Sequence, residues 1–366
     1  MPEIHAELLS DAALGTLPVA GFTRGSLRYI PGSVLRGAVA TRYLAAGNPL
    51  DGTFAAAFEG GVRWGALYLR GEPPQPLSWW VHKYEPKADC PKHFDDARGD
   101  VPANHTCSNC DSPLEPSKGA ISGVDTKVDT HVKLVNGTAS DGDLFARERV
   151  VHRLAGGNLT FSGRVDPLSS TGESALQAVW TSVAGDPQAA AEVWFGGRRS
   201  TNGGRARLSL TPKEPASIPS DGTTLTIRLT SPAIFVDDFG RPSAVPRTDE
   251  LTAILGVEVS VQRSWLRWSS EGGWHAASKL PKPVERVVAA GSVYELALAA
   301  EPSPDALSQL AVRGLGLRKA EGFGAMAPMP AAGVDIRKLQ QDVVCLRSLT
   351  DNAKRAIIQE MTAARQ

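Results

Sequence analysis

Three of the four cysteines stand at Cys90, Cys107 and Cys110, and two histidines, His93 and His105, lie among them. Cys90-Pro91-Lys92-His93 is a C-x2-H element, and Cys107-Ser108-Asn109-Cys110 is a C-x2-C element. Thiolates and imidazoles in such pairs are the donors of a tetrahedral structural zinc. Cys90, His93, Cys107 and Cys110 are therefore the expected Zn2+ ligands, with His105 competing for the fourth place. Four protein donors close the coordination sphere, so the expected ion is structural rather than catalytic. From 87 to 122 the chain loses hydrophobic periodicity and is rich in Pro, Asp, Asn, Cys and His. Such an insert is too polar to build its own core, and metal binding would supply its folding energy.

Two glycine- and arginine-bearing segments, 196–205 and 314–324, are the second candidate chemistry. Glycines let a ligand backbone approach closely, and successive N–H groups form concavities that hold anions. Arginines beside them add bidentate phosphate contacts. Neither segment ends in Gly-Lys-Ser/Thr, so neither is a nucleotide P-loop. Their chemistry suits a sugar-phosphate chain; a plain glycine turn with solvated arginines is the alternative. Arg36 lies in the first turn of an expected helix, where the helix dipole disfavours a cation unless an anion docks there.

The inventory for catalysis is poor. His152, on a basic stretch with Arg147 and Arg149, is the one histidine placed like a general base of a metal-independent ribonuclease. Asp95-Asp96 and Asp237-Asp238 are paired carboxylates, the latter in a Phe239-Gly240 context that reads as a turn. Trp79-Trp80, Trp265 and Trp268 could stack on bases, though core or interface roles are the commoner use.

The elements that must position these groups alternate between strand and helix. Strand-like alternation occurs over 3–9, 62–69, 130–135, 144–151, 159–165, 206–210 and 224–230, the fourth and fifth joined by a turn at Gly156-Gly157-Asn158. Helical spacing covers 33–45, with Ser33 as N-cap, and also 174–184 and 306–311. The stretch 252–261 fits helix or strand, and 284–298 reads as strand, turn at Gly291, strand. A Pro/Ser-rich break at 213–220 divides the chain into 1–212 and 221–334, followed by a tail, 335–366, of helical pattern. Each half ends in one glycine segment, which suggests a duplicated plan. The 366 residues carry 39 basic and 39 acidic side chains, so nucleic acid would be held in a local groove and not over the whole surface. No run of apolar residues is long enough to span a bilayer, and the N-terminus lacks a signal-peptide pattern, so a cytoplasmic protein without a membrane partner is expected.

Several of these segments resemble the CRISPR-associated RAMP superfamily. Ile30-Pro31-Gly32-Ser33 with Leu35-Arg36-Gly37 is similar to the start of the first RAMP helix, and 314–324, closing in Gly322-Phe323-Gly324, to the RAMP glycine-rich loop. The segment 196–205 is similar to the same loop in a first domain, although it closes in Gly203-Gly204-Arg205. Gly142-Asp143-Leu144-Phe145 followed by Leu159-Thr160-Phe161-Ser162-Gly163 resembles the common RAMP hairpin, and Ala290-Gly291-Ser292-Val293 a second-domain strand entry. The cysteine insert is similar to that of the type III-D subunit of the Csx-ten kind, which has a Cas-five-like role. The resemblance implies an α+β chain of two ferredoxin-like RAMP domains, with the zinc insert in the first. It implies a non-catalytic effector subunit that binds the 5′ handle of the CRISPR guide RNA and contacts a large polymerase-like subunit and backbone RAMP subunits. The candidate RNA contacts are Arg28, Ser33, Arg36, Arg147, Arg149, Gly197, Arg198, Arg199, Ser200 and Arg205, and, in the second half, Gly316, Arg318, Lys319, Gly322 and Phe323. A RAMP endoribonuclease that processes precursor CRISPR RNA is the alternative on the same fold, and an unrelated zinc protein with an interaction role is a third reading.

Overall fold

Ile4, Ala6 and Leu8 are fully buried while their neighbours are half-exposed, the period-2 signature of a strand with one face on a core. This strand, β1 (Pro2–Leu8), is central in the first of the two largest sheets in the computed structural model. The structure describes residues 2–329 except 17–22, 88–89, 122, 155, 187, 198–202, 214–217, 276–277 and 279. The expected tail over 335–366 lies outside the described residues.

In the first half, β1 leads to α1 (Gly32–Ala45), α2 (Gly52–Phe58), β2 (Val62–Trp64) and β3 (Tyr68–Leu69). A long antiparallel ribbon follows, β4 (Thr126–Val135) and β5 (Thr138–Val150), then β6 (Thr160–Pro167), α3 (Ser170–Ala184), β7 (Ala191–Trp194) and β8 (Arg205–Pro212). The sheet order is β7-β8-β1-β6-β2, with β3 also on β6. In the second half come β9 (Thr224–Leu229), α4 (Thr248–Leu255), β10 (Val259–Trp265), β11 (Val293–Leu298), α5 (Pro304–Arg313) and β12 (Met326–Pro328), in the order β10-β11-β9-β12. The stretch that fitted helix or strand is thus both, the end of α4 and the start of β10. The expected hairpin between 144–151 and 159–165 does not form: β5 pairs with β4 while β6 pairs with β1, and only Arg153–Leu154 pairs back on Gly157–Asn158.

Each half has its own core. Leu35, Ala38, Val39 and Tyr43 of α1 and Leu176, Val179, Trp180 and Val183 of α3 recur at helical spacing and cover the first sheet. Leu251, Leu255, Leu307 and Leu310 do the same for the second. Each such side chain stabilises by about 1.5–3 kcal/mol when buried. Ser169 accepts the Gly172 N–H at 3.0 Å and Ser303 the Ala306 N–H at 3.2 Å, fixing where α3 and α5 begin. For α1 the cap position is Pro31 and not Ser33; Pro31 has no N–H to leave unpaired, and the helix begins at Gly32.

The two halves match bond for bond around their glycine segments. The Phe195 N–H donates to Gly204 O at 2.8 Å, and the Leu315 N–H to Gly324 O at 3.0 Å. The Gly204 N–H donates to Asp11 O at 2.9 Å, and the Gly324 N–H to Pro232 O at 2.8 Å. Ser10 Oγ accepts from the Arg205 N–H and Ser231 Oγ from the Ala325 N–H, both at 2.9 Å. Leu27 donates to Leu14 O at 2.7 Å and Ser243 to Phe235 O at 2.8 Å, each four residues before the cap of α1 or α4.

The halves are joined by buried polar contacts. Arg63 of β2 donates to Asp166 at 2.6 Å and to Ala311 O, at the end of α5, at 3.0 Å. Arg164 holds the other Asp166 oxygen at 2.7 Å. The insert also bridges them. Its three strands, Trp79–His82, His93–Asp95 and Leu114–Pro116, begin before the expected limit of 87. Arg263 of β10 donates to Asp96 O and Ala97 O at 3.2 and 3.1 Å, and Trp265 Nε1 to Asp96 Oδ2 at 2.8 Å.

Candidate nucleic-acid interface and metal centre

Gly196 and Gly316 both have positive φ, 71° and 83°. A Cβ on Gly196 would lie 2.1 Å from Ala13 O, and one on Gly316 2.4 Å from Ile234 O, so only glycine lets each loop lie on the backbone beneath it. The Gly197 N–H donates to Ala13 O at 3.3 Å. The second loop continues onto α1: a Cβ on Gly322 would lie 2.2 Å from Trp64 O and 3.1 Å from Gly32 Cα. Two separate motifs, Ile30-Pro31-Gly32-Ser33 and Gly322-Phe323-Gly324, are thereby packed backbone to backbone. The first loop rests on Ala13 and Leu14, Leu14 is bonded to Leu27, and Leu27 leads to Gly32. Five residue steps span at most about 18 Å, so one short stretch of chain connects the two loops. Arg28 is exposed in that stretch.

The expected basic contacts fall into two groups. Arg147 brings a guanidinium nitrogen to 3.7 Å from the position of a Cβ on Gly197, beside the first loop. Arg198, Arg199 and Ser200 lie outside the described residues. Several of the candidate cations have partners within the chain. Arg149 pairs with Asp129. Arg205 makes a two-pronged contact to Glu192 at 2.8 and 2.7 Å, which holds its guanidinium above the ordinary range. Arg318 makes the same contact to Glu321 at 3.0 and 2.9 Å, approaches Glu285 at 3.6 Å, and lies 5.0 Å over the Phe323 ring. Lys319 donates to Glu250 at 2.5 Å. Burial alone would raise the Glu321 carboxyl, but Arg318 and Lys282 outweigh it and hold it at about 2. Arg36 corrects its expectation: its guanidinium donates to Phe58 O at the carbonyl end of α2, where the dipole favours a cation without any ligand. Ser33 sits in the first turn, half-buried.

The paired carboxylates resolve into structural roles. Asp95 accepts from Ser78 at 2.7 Å and from the Ala97 N–H at 3.1 Å, capping a short 3-10 turn, and Asp96 holds Trp265. Asp237 accepts the Phe239 and Arg241 N–H groups at 2.9 Å, the turn read from sequence. His152 Nδ1 lies 2.6 Å from Asp11 Oδ1, and Lys127 Nζ 2.5 Å from Asp11 Oδ2. Trp268 lies under Arg286 at 4.4 Å.

At the cysteine insert, Cys90, Cys107 and Cys110 converge with His82, their donor atoms all within 4.8 Å of one another. The Cys90 and Cys107 sulfurs are 4.0 Å apart. A tetrahedron with arms of about 2.3 Å spaces its corners by roughly 3.8 Å, so the cluster fits a metal ion. Both ring nitrogens of His82 are buried without a hydrogen-bond partner, a costly state that coordination would relieve at one of them. Burial acts to raise the Cys107 thiol, but the N–H groups of Asn109 and Cys110 bring it down to about 6. His93 is not in the cluster: it stacks on Trp79 with ring centres 3.6 Å apart, and burial lowers its pKa. His105, the competitor, stacks on Trp80 at 4.2 Å. His82 escaped the sequence reading because it lies on the strand before the insert; alternation of Trp80 and His82 on one face was its only signal.

Comparison with known proteins bears on this geometry. The family described as CRISPR-associated protein (Cas_Cmr3) matches residues 98–327, more than half of the chain. The chain belongs to that CRISPR-associated family. It is thus a CRISPR-associated RAMP protein, as its motifs suggested. No curated protein matches it. Among solved structures, it is similar to a chain of the type III-B Cmr-beta complex bound to cognate target RNA and AMPPnP, at 10% identity and TM-score 0.42, with 80% of this chain and 86% of that one covered. A chain of the Csm3-Csm4 subcomplex of the type III-A interference complex matches at 11% and 0.42, covering 82% and 94%. A RAMP protein binding different RNA substrates matches at 12% and 0.35, covering 89% and 99%. Among the described residues no helix is long and apolar enough to cross a membrane.

Proposed function

We propose that this protein is a non-catalytic subunit of a type III CRISPR ribonucleoprotein effector that grips the 5′ handle of the guide RNA and helps assemble the complex. The observation that carries this reading is the pair of bond-for-bond matched glycine loops, connected by the short stretch 27–32 with exposed Arg28. Backbone N–H groups beside cations are chemistry for a phosphate chain. Numbered in chain order, the four strands of the second sheet run 4-1-3-2; the first sheet carries the corresponding run β8-β1-β6-β2, with β7 added outside β8 and β3 also on β6, and this supports two ferredoxin-like RAMP domains at 1–212 and 221–334. The Cys90, Cys107, Cys110 and His82 donor set supports Zn2+ as the ion. A large polymerase-like subunit and backbone RAMP subunits are the protein partners this role requires, in the cytoplasm. The type III-D, Csx-ten-like assignment rests on the cysteine insert.

The test is binding of the purified protein to CRISPR repeat RNA across a salt series. Affinity should fall log-linearly with salt, and an Arg28→Ala/Arg198→Ala/Arg199→Ala variant should weaken it and flatten the slope. Binding that is absent, or indifferent to salt and to these substitutions, overturns the reading.

One observation favours the endoribonuclease alternative: His152 is oriented by Asp11, with Lys127 on the same carboxylate. Incubation with repeat RNA without divalent ions should leave it intact. Site-specific cleavage lost in His152→Ala would establish the alternative.

A further inference from the structure

The second glycine loop already holds an anion, and it comes from the protein. Both oxygens of the Glu250 carboxylate face the Gly316 N–H, at 3.3 and 3.0 Å, and one takes Lys319 Nζ at 2.5 Å. A carboxylate held by a loop N–H and a lysine is the arrangement a phosphate oxygen would have there. The loop's arginine is paired as well: Arg318 engages Glu321, which also takes Lys282 from outside the loop.

The first loop has no counterpart of Glu250. Glu250 is the third residue of α4 after its cap Arg247, and the matched bonds of Leu27 and Ser243 align that cap with Pro31. The residue of α1 corresponding to Glu250 is therefore Val34. Among the described residues no carboxylate reaches Gly196, the counterpart of Gly316. An open cavity of about 360 Å³, lined by Gly316, Leu317, Arg247 and Glu250, lies beside the second loop, so space for a ligand exists there.

We propose that Glu250 is a built-in occupant of the second loop's anion site, and that two loops of one backbone plan have thereby diverged: the first takes RNA phosphate, while the second is closed by the chain's own carboxylate and seats α1. The proposal rests on the RNA-binding reading above. Glu250 sets how many phosphates the protein contacts, because a phosphate at the second loop must displace a tethered competitor.

Glu250→Ala tests it, with repeat RNA as the probe and folding checked by melting temperature and zinc content. At low salt the variant should bind about three- to tenfold tighter than wild type, and its log–log salt slope should steepen by about 0.7, the increment for one more single-strand phosphate. A folded variant with unchanged or weaker affinity and an unchanged slope overturns the proposal. If the alanine variant does not fold, Glu250→Gln keeps the volume and frees Lys319; an unaltered slope there is equally fatal. Wild type that binds no RNA brings down the parent reading instead, whereas wild-type binding that Glu250 substitutions leave untouched brings down only this one.

Discussion

Gly204 and Gly324 hold the same station in the two halves: a Cβ on Gly204 would lie 1.9 Å from Phe195 O, and one on Gly324 1.8 Å from Leu315 O. Both have φ near 70°. Alanine at either is strained by its backbone angle and blocked by the carbonyl of a residue whose own N–H is bonded to that glycine's carbonyl. Gly204→Ala and Gly324→Ala should each cost more than about 2 kcal/mol, read by denaturant unfolding. An equal substitution at Gly137, with nothing within 4 Å, isolates the φ penalty alone.

The candidate metal donors are separable by histidine. His82→Ala and Cys107→Ser should lose stoichiometric zinc, while His93→Ala keeps it and gives up only its stack on Trp79, about 1 kcal/mol. Metal analysis of the purified variants decides this.

Acid should weaken the contact between the second loop and its surroundings. Glu321 is held at about 2 against an ordinary 4.5, so in the window between these values the unfolded chain binds the extra proton. The stabilisation is complete above about pH 4.5 and is lost as pH falls towards 2, on the order of 3 kcal/mol. Glu321→Gln should lower stability at neutral pH and flatten that acid limb in pH-dependent unfolding.

Much of this was legible in sequence. Glycine spacing marked both loops, and period-2 burial marked β1, because local geometry alone decides those features. Arg36 misled because its partner, Phe58 O, belongs to another helix. Pairing of Arg318 with Glu321 is a three-residue offset that a reader can see, but Glu250 and Lys319 lie far apart in the chain. His82 was missed for the same reason: knuckle spacing favours near neighbours, and only the three-stranded insert brings that strand over the thiols. Alternation in 144–151 and 159–165 identified two strands without indicating that they enter different sheets.

Asp166 is fully buried between Arg63 and Arg164. Asp166→Ala strands two guanidinium groups and should cost about 3–5 kcal/mol, whereas adding Arg63→Met should restore part of it. A double-mutant cycle measures the coupling.

Arg36→Ala should remove the cap of α2 at a cost of about 1 kcal/mol and leave RNA affinity where it was. Parallel melting and binding measurements separate the two effects.

The grip of Arg263 and Trp265 on the turn at Asp96 places the cysteine insert against β10, one of the two outer strands of the second sheet. An unguarded outer strand is a template on which other chains can add. Chelation would therefore do more than loosen an appendage: it would uncap that margin, and the stripped protein should clump before it melts, so that ion supply governs solubility as well as shape.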